Sequence, residues 1–120
     1  WTLPAGFMEN SETATEGAAR EALEEANARI EVEQLYTLFS VPHISQVYMF
    51  YLARLSGSAF AAGPESLEVA LFDEDAIPWG ELAFPVVNAT LKRFFADRRH
   101  GVFPVHNATL RPGDWGRGLP

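Results

Sequence analysis

Residues 6–28 read GFMENSETATEGAAREALEEANA, and this stretch decides the fold. It sets Gly6, Glu12, Arg20, Glu21, Glu24 and Glu25 at the spacing G-x5-E-x7-R-E-x-x-E-E. The pattern predicts a helix over 13–27. Successive residues of a helix turn by about 100°, so positions i, i+3 and i+4 share a face. With Glu21 taken as the origin, Glu24 falls near about −60° and Glu25 near about +40°. Ala19, Ala22, Leu23 and Ala26 gather on another side, and Glu16 and Arg20 on a third. Three carboxylates on one narrow face repel one another by a few tenths of a kcal/mol per like-charged pair, roughly. A cation is expected to offset that repulsion, and an oxygen-only ligand set suits Mg²⁺ or Mn²⁺. The chain has no cysteine, and His43, His100 and His106 are remote in sequence, which argues against zinc.

A glutamate-rich helix by itself is most often a solvated face. Here the helix is preceded by Trp1-Thr2-Leu3-Pro4-Ala5-Gly6, which reads as a strand closed by a glycine turn. Strand, glycine turn, Glu12 and the R-E-x-x-E-E run together point to a metal site rather than to solvation alone.

The 120 residues are 48% apolar, enough for one domain with a core of its own. The formal charge is −7, and half of the sixteen acidic residues lie between Glu9 and Glu33. The negative charge is therefore local to the expected metal helix. No basic stripe of the kind a nucleic-acid groove needs is visible. Nor does any apolar run reach the roughly 18 residues of a membrane span. The absence of cysteine fits a reducing cytoplasm.

Beyond the helix, 29–40 alternates apolar and polar residues and predicts a strand. Pro42 and His43 mark a turn, and 46–55 (QVYMFYLARL) predicts a buried strand. Residues 56–64 read as a loop, 67–72 as a short strand and 73–79 as a turn through Pro78. Residues 84–98 carry the apolar periodicity of a helix that packs on a sheet, with Arg98, Arg99 and His100 at its dipole-negative end. Residues 101–120 read as a C-terminal tail after a domain spanning 1–100. Residues 84–92, FPVVNATLK, are echoed at 103–111 by FPVHNATLR, which reads as coincidence.

The spacing resembles the signature of Nudix hydrolases, enzymes that cleave nucleoside diphosphates linked to another group. The later segments GPESLEVALF at 63–72, IPWGELAF at 77–84 and Arg111-Pro112-Gly113 resemble a narrower group, the FAD and ADP-ribose diphosphatases of plant chloroplasts and bacteria. This resemblance implies an α/β fold, a Nudix α/β/α sandwich with a mixed central sheet. Such a fold has strands before the motif, so the sequence is expected to be the C-terminal two-thirds of a larger, N-terminally incomplete chain. The resemblance further implies that the Ala5 carbonyl, Glu21 and Glu25 bind Mg²⁺ or Mn²⁺, with Glu24 as a further ligand. Arg20 would orient the glutamates and Glu12 would brace the loop. A loop carboxylate would act as base and metal ligand, with Glu65 the stronger candidate and Glu68 the alternative. The expected partner is a small dinucleotide substrate (FAD, ADP-ribose or NADH), with no nucleic acid and no membrane, in a cytoplasmic homodimer. Phe7, Phe39, Tyr48 and Trp79 are candidates to stack on a substrate ring, although the core is the commoner place for such side chains.

The signature usually closes with glycine and an aliphatic residue, where this chain has Asn27 and Ala28. Asn tolerates the left-handed conformation of a helix end better than most residues, so the change is expected to matter little. Two rivals remain at this level: a Nudix-like sensor that binds ADP-ribose without cleaving it, and a housecleaning nucleoside triphosphatase.

Overall fold

Thr13 sets the start of the first helix. Its hydroxyl accepts from the Glu16 amide at 3.1 Å while its own amide donates to Glu16 Oε1 at 2.9 Å, a reciprocal capping box. The Thr13 amide, followed by the Thr13 hydroxyl, also holds the Glu16 carboxyl below the usual carboxylate range. Helix α1 then runs Ala14–Ala26 and stops at Asn27, whose φ of 49° is left-handed. From there the Asn27 and Ala28 amides double back to the Leu23 and Ala22 carbonyls at 2.9 and 3.2 Å. The boundaries fall within a residue of those predicted, and Asn27 fills the role expected of it.

The chain is described here from a computed structural model, which describes residues 1–57 and 72–112. Glu65 and Glu68, the strand expected at 67–72 save for Phe72, and residues 113–120 lie outside the described residues. The remaining elements are β1 (Ile30–Val41), β2 (Gln46–Leu55), α2 (Pro85–His100) and β3 (His106–Thr109), with 3-10 turns at Pro42–Ile44, Glu74–Ala76 and Trp79–Glu81. The strands form a sheet in the order β2-β1-β3. The Ser56 amide donates to the Arg29 carbonyl at 2.7 Å, and Arg54 reaches Glu31 at 3.1 Å. Residues ascending along β1 thus meet residues descending along β2, as in an antiparallel hairpin. β3 runs parallel to β1, with Thr37 opposite His106 and Ser40 opposite Thr109. The sheet is mixed and the class is α/β, as expected.

The chain divides into two units, Trp1–Thr2 with Leu35–Phe50 and Ala76–Pro120, and Leu3–Gln34 with Tyr51–Asp75. In the first, Tyr36, Phe39, Val41, Val86, Val87, Ala89, Phe95 and Leu110 form a buried core. Two buried hydroxyls, Thr37 of β1 and Thr90 of α2, satisfy each other at 2.9 Å. Asp97 near the end of α2 accepts from the Tyr36 hydroxyl of β1 and bonds His106 Nε2 of β3 at 2.7 Å. One carboxylate therefore ties three elements together. Burial alone would raise the Asp97 pKa, but the His106 and Tyr36 bonds outweigh it and hold the carboxyl below its ordinary range. The Tyr36 hydroxyl is pushed the other way, by burial first and by the Asp97 bond second. Phe94 and Phe103 meet the Tyr36 ring edge-on, at 6.3 and 6.2 Å between centroids.

Three expectations need correction. Residues 1–6 form no strand. Pro4 has no amide to give a ladder, the Ala5 amide donates to Glu25, and the Trp1 carbonyl accepts from Ala83 at 2.8 Å. β2 has the predicted bounds but is not buried: Val47 is 59% and Met49 42% exposed. Among the described strands it lies at one side of the sheet, and its side chains find only partial cover. Finally, part of the expected tail is β3, and Leu110 just beyond it is 1% exposed. The echoed peptides consequently take different structures, the first on α2 and the second on β3. Tertiary pairing overrides local preference here.

Two outcomes follow for stability. Asp97→Ala leaves a buried phenol and an imidazole without their acceptor and should cost about 2–3 kcal/mol in denaturant titrations at pH 7. Because the folded carboxyl lies below its unfolded value, this contribution is present above the ordinary Asp pKa of about 3.9. The gap between wild type and Asp97→Ala should therefore close as pH falls below that value; a gap that stays constant down to pH 2 contradicts the account. Asn27→Gly should melt within about 0.5 kcal/mol of wild type, whereas Asn27→Val should lose about 1–2 kcal/mol to the left-handed conformation.

Candidate functional site

The second unit places the motif residues around one guanidinium. Arg20, in the second turn of α1, sends Nε to Glu12 Oε2 at 2.7 Å and Nη1 to Glu21 Oε1 at 2.7 Å. The same Nη1 lies 3.1 Å from Glu24 and 3.4 Å from Glu9, while Nη2 bonds Glu12 Oε1 and the Phe7 carbonyl, each at 3.1 Å. Both oxygens of Glu12 are thus held by the planar fork, a geometry that an ammonium cannot match. Arg20, Glu12 and Glu21 are mostly shielded from solvent, whereas Glu9 and Glu24 are exposed.

The ionisation of the cluster follows from these contacts. The Arg20 bond, then the amide of Glu9 at 3.0 Å, holds the Glu12 carboxyl below the usual range. In return, the Glu12 bond, followed by that of Glu21, drives the Arg20 pKa upward against the opposing effect of burial. The guanidinium and the Glu12 carboxylate are therefore charged throughout the physiological range.

Two glycines make room for this arrangement. A Cβ on Gly6 would overlap the Glu21 carboxyl, with the Glu21 Cδ only 2.5 Å away. One on Gly17 would come 2.9 Å from Glu12 Oε1. The loop between them turns at Glu9–Glu12, where the Glu12 amide donates to the Glu9 carbonyl at 3.3 Å and Ser11 takes a left-handed φ of 65°. That turn brings Glu12 back against the helix.

The expected residues are distributed as follows. Arg20, Glu12, Glu21 and Glu24 come together directly. Glu25 turns toward the glycine loop, where its Oε2 accepts from the Ala5 amide at 3.1 Å. Ala5, named for its carbonyl, therefore reaches the helix through its N–H. Glu65 and Glu68 lie outside the described residues. Among the described residues no three His, Asp or Glu side chains converge closely enough to enclose a cation. The oxygen-only donors and the close approach that Gly6 permits still fit a hard cation held by one or two carboxylates, with water or phosphate oxygens completing its shell. Glu9 and the Phe7 carbonyl were not foreseen as partners of Arg20; the Glu9–Glu12 interval, a turn length before a helix cap, was the signal available.

Of the aromatic candidates, Phe39 is fully buried, Tyr48 is partly buried, and Trp79 packs edge-on against Phe95 at 6.3 Å. Phe7 alone projects from the glycine loop.

Comparisons with known proteins bear on the chain as a whole. A family described as the NUDIX domain matches residues 1–97. A MutT-like protein of Streptomyces ambofaciens is 31% identical over 77 residues, covering 64% of this chain and 50% of that protein. The crystal structure of a NUDIX hydrolase from Nitrosomonas europaea is 55% identical, with a TM-score of 0.90 over 92% of this chain and 63% of that one. This chain thus spans half the length of the first relative and somewhat under two-thirds of the second. A match that runs through the glycine loop, the whole Arg20 cluster and most of α2 makes the chain a member of the Nudix domain family.

Proposed function

We propose that this chain carries the catalytic part of a divalent-metal-dependent hydrolase that cleaves the diphosphate of FAD or ADP-ribose and releases AMP. The observation that carries the reading is the Arg20 cluster, which fixes Glu12, Glu21 and Glu24 beside a glycine loop whose Gly6 leaves space only for a carboxylate. Family membership, with relatives described as MutT-like and as a NUDIX hydrolase, supports hydrolysis of a phosphorus anhydride. The choice of FAD or ADP-ribose rests on the resemblance of 63–84 and 111–113 to that group. Among the described residues no helix is long and apolar enough to cross a membrane.

Glu21, Glu25 and the Ala5 carbonyl would hold Mg²⁺ or Mn²⁺, with Glu24 as a further ligand. Such a metal, when bound, neutralises phosphate oxygens and lowers the pKa of a coordinated water. The residues of this chain do the rest. Arg20 keeps Glu21 and Glu24 aimed through its bonds to both, so neither carboxylate has to reorganise as charge develops on the phosphate. Glu12 locks the guanidinium from below, and its two bonds stop Arg20 from swinging out to pair with the phosphates. Glu65 is the proposed base for the attacking water. The negative charge of α1 is compatible with an anionic substrate because it recruits the cation that the phosphates require. A homodimer in the cytoplasm is the proposed setting.

Glu25→Gln keeps an acceptor for the Ala5 amide but removes a charge. It should lower kcat for AMP release by at least about 10²-fold, since a metal supplies several kcal/mol of charge stabilisation. A variant that keeps most of its rate under saturating Mg²⁺ would remove Glu25 from the ligand set. Divalent metal should also stabilise the fold by binding the native state alone, by about 2.7 kcal/mol at a hundred times its Kd. Thermal melts in EDTA and in millimolar Mn²⁺ measure this, and coincident melts would leave the carboxylates as a solvated face.

A further inference from the structure

The aromatic residue of the glycine loop joins the Arg20 cluster through its carbonyl, while its ring is exposed. Phe7 is 83% exposed and its neighbour Met8 57%, although burial is where side chains of this size stabilise most. The position of Phe7 is nonetheless well fixed. Its carbonyl accepts from Arg20 Nη2 at 3.1 Å, and it follows directly on Gly6, whose backbone lies against the Glu21 carboxyl. Met8 in turn approaches Gly17, its Cγ standing 3.8 Å from where a Cβ would be. The backbone is pinned on both sides while the ring projects into solvent beside the carboxylates.

The surroundings limit what the ring can meet. From Leu3 to Gln34, Phe7 is the only aromatic residue, and the described charges around it are those of Glu9, Glu12, Glu21, Glu24 and Glu25 about a single guanidinium. Arg20 has its N–H groups already engaged by Glu12 and Glu21. A nucleotide whose phosphates lie at the carboxylates therefore has one uncharged π surface available on this loop. We propose that Phe7 is a specificity-determining residue of the site, stacking on a planar ring of the nucleoside diphosphate substrate. This rests on the hydrolase reading given above. The ring has two possible sources, the adenine common to FAD and ADP-ribose and the isoalloxazine found in FAD alone.

The test compares Phe7→Leu and Phe7→Trp with wild type on FAD and on ADP-ribose, following AMP release with Mn²⁺. In parallel, FAD fluorescence is titrated with each protein in Mg²⁺, so that the cation the phosphates require is present. Phe7→Leu keeps apolar bulk but loses the π face, so KM for a stacked substrate should rise about threefold to tenfold with kcat nearly unchanged. Phe7→Trp should restore or lower it. A rise for both substrates assigns the contact to adenine, and a rise for FAD alone assigns it to isoalloxazine. Equal KM values for Phe7→Leu and wild type on both substrates would overturn the proposal, as would a fall in kcat with KM unchanged. Should wild type release AMP from neither substrate, the hydrolase reading fails by itself; the titration then decides on Phe7, and an FAD Kd unaltered in Phe7→Leu overturns it.

Discussion

Repulsion among the glutamates of α1 is the constraint around which the second unit is organised. Glu21, Glu24 and Glu25 share a helix face with Glu9 and Glu12 folded back against it, and their repulsion, about a few tenths of a kcal/mol per pair, favours positive charge fixed among them. Arg20 supplies it from within the same helix, and both oxygens of Glu12 fix its orientation. Three further residues of the loop and helix serve that geometry. Gly6 and Gly17 remove the side chains that would obstruct the two shielded carboxylates, and the left-handed Ser11 closes the turn that returns Glu12 to the helix. Surface ion pairs contribute little individually, but a bidentate pair that is mostly shielded and shares its cation is a stronger case. The cluster is a scaffold for charge, set before any ligand arrives.

The part of this legible in sequence was the part governed by local rules. Thr13 with Glu16 announces a helix start, and Asn27 its end, because caps depend on residues three or four apart. The G-x5-E-x7-R-E-x-x-E-E interval likewise lies within one loop and one helix. The fold gathers Glu12, Glu21 and Glu24 about Arg20 within it, although the helix turn alone set Arg20 on a different side from Glu21 and Glu24. Strand pairing is not local. The period of 46–55 correctly gave a strand, but burial depends on which neighbours cover it, and Val47 and Met49 are left open. For the same reason residues 1–6 suggested a strand that lacks a ladder. The Glu25 bond to the Ala5 amide and the outward ring of Phe7 were also beyond the motif. Both depend on the path of a loop, which spacing alone does not specify.

Asp97 illustrates the limit most clearly. Its partners Tyr36 and His106 stand 61 and 9 positions away. Nothing in the periodicity of 84–98 marks this residue as more than one of the polar positions near a helix end. Only the parallel placement of β3 beside β1 brings the imidazole and the phenol to one carboxylate. The His106 reading was therefore limited to its distance from the motif, whereas its structural role is to join β3 to the helix before it.

The twin nonapeptides give that junction a part in telling two near-identical segments apart. FPVVNATLK and FPVHNATLR differ by Val87 against His106 and Lys92 against Arg111, and Val87 is the better strand former of the first pair. Yet the first copy lies on α2, and the second pairs with β1. What marks the occupant of the β1 edge is the imidazole, whose acceptor Asp97 lies on the helix that carries the first copy. The two copies are thus told apart at the position where a ring nitrogen can bond a carboxylate.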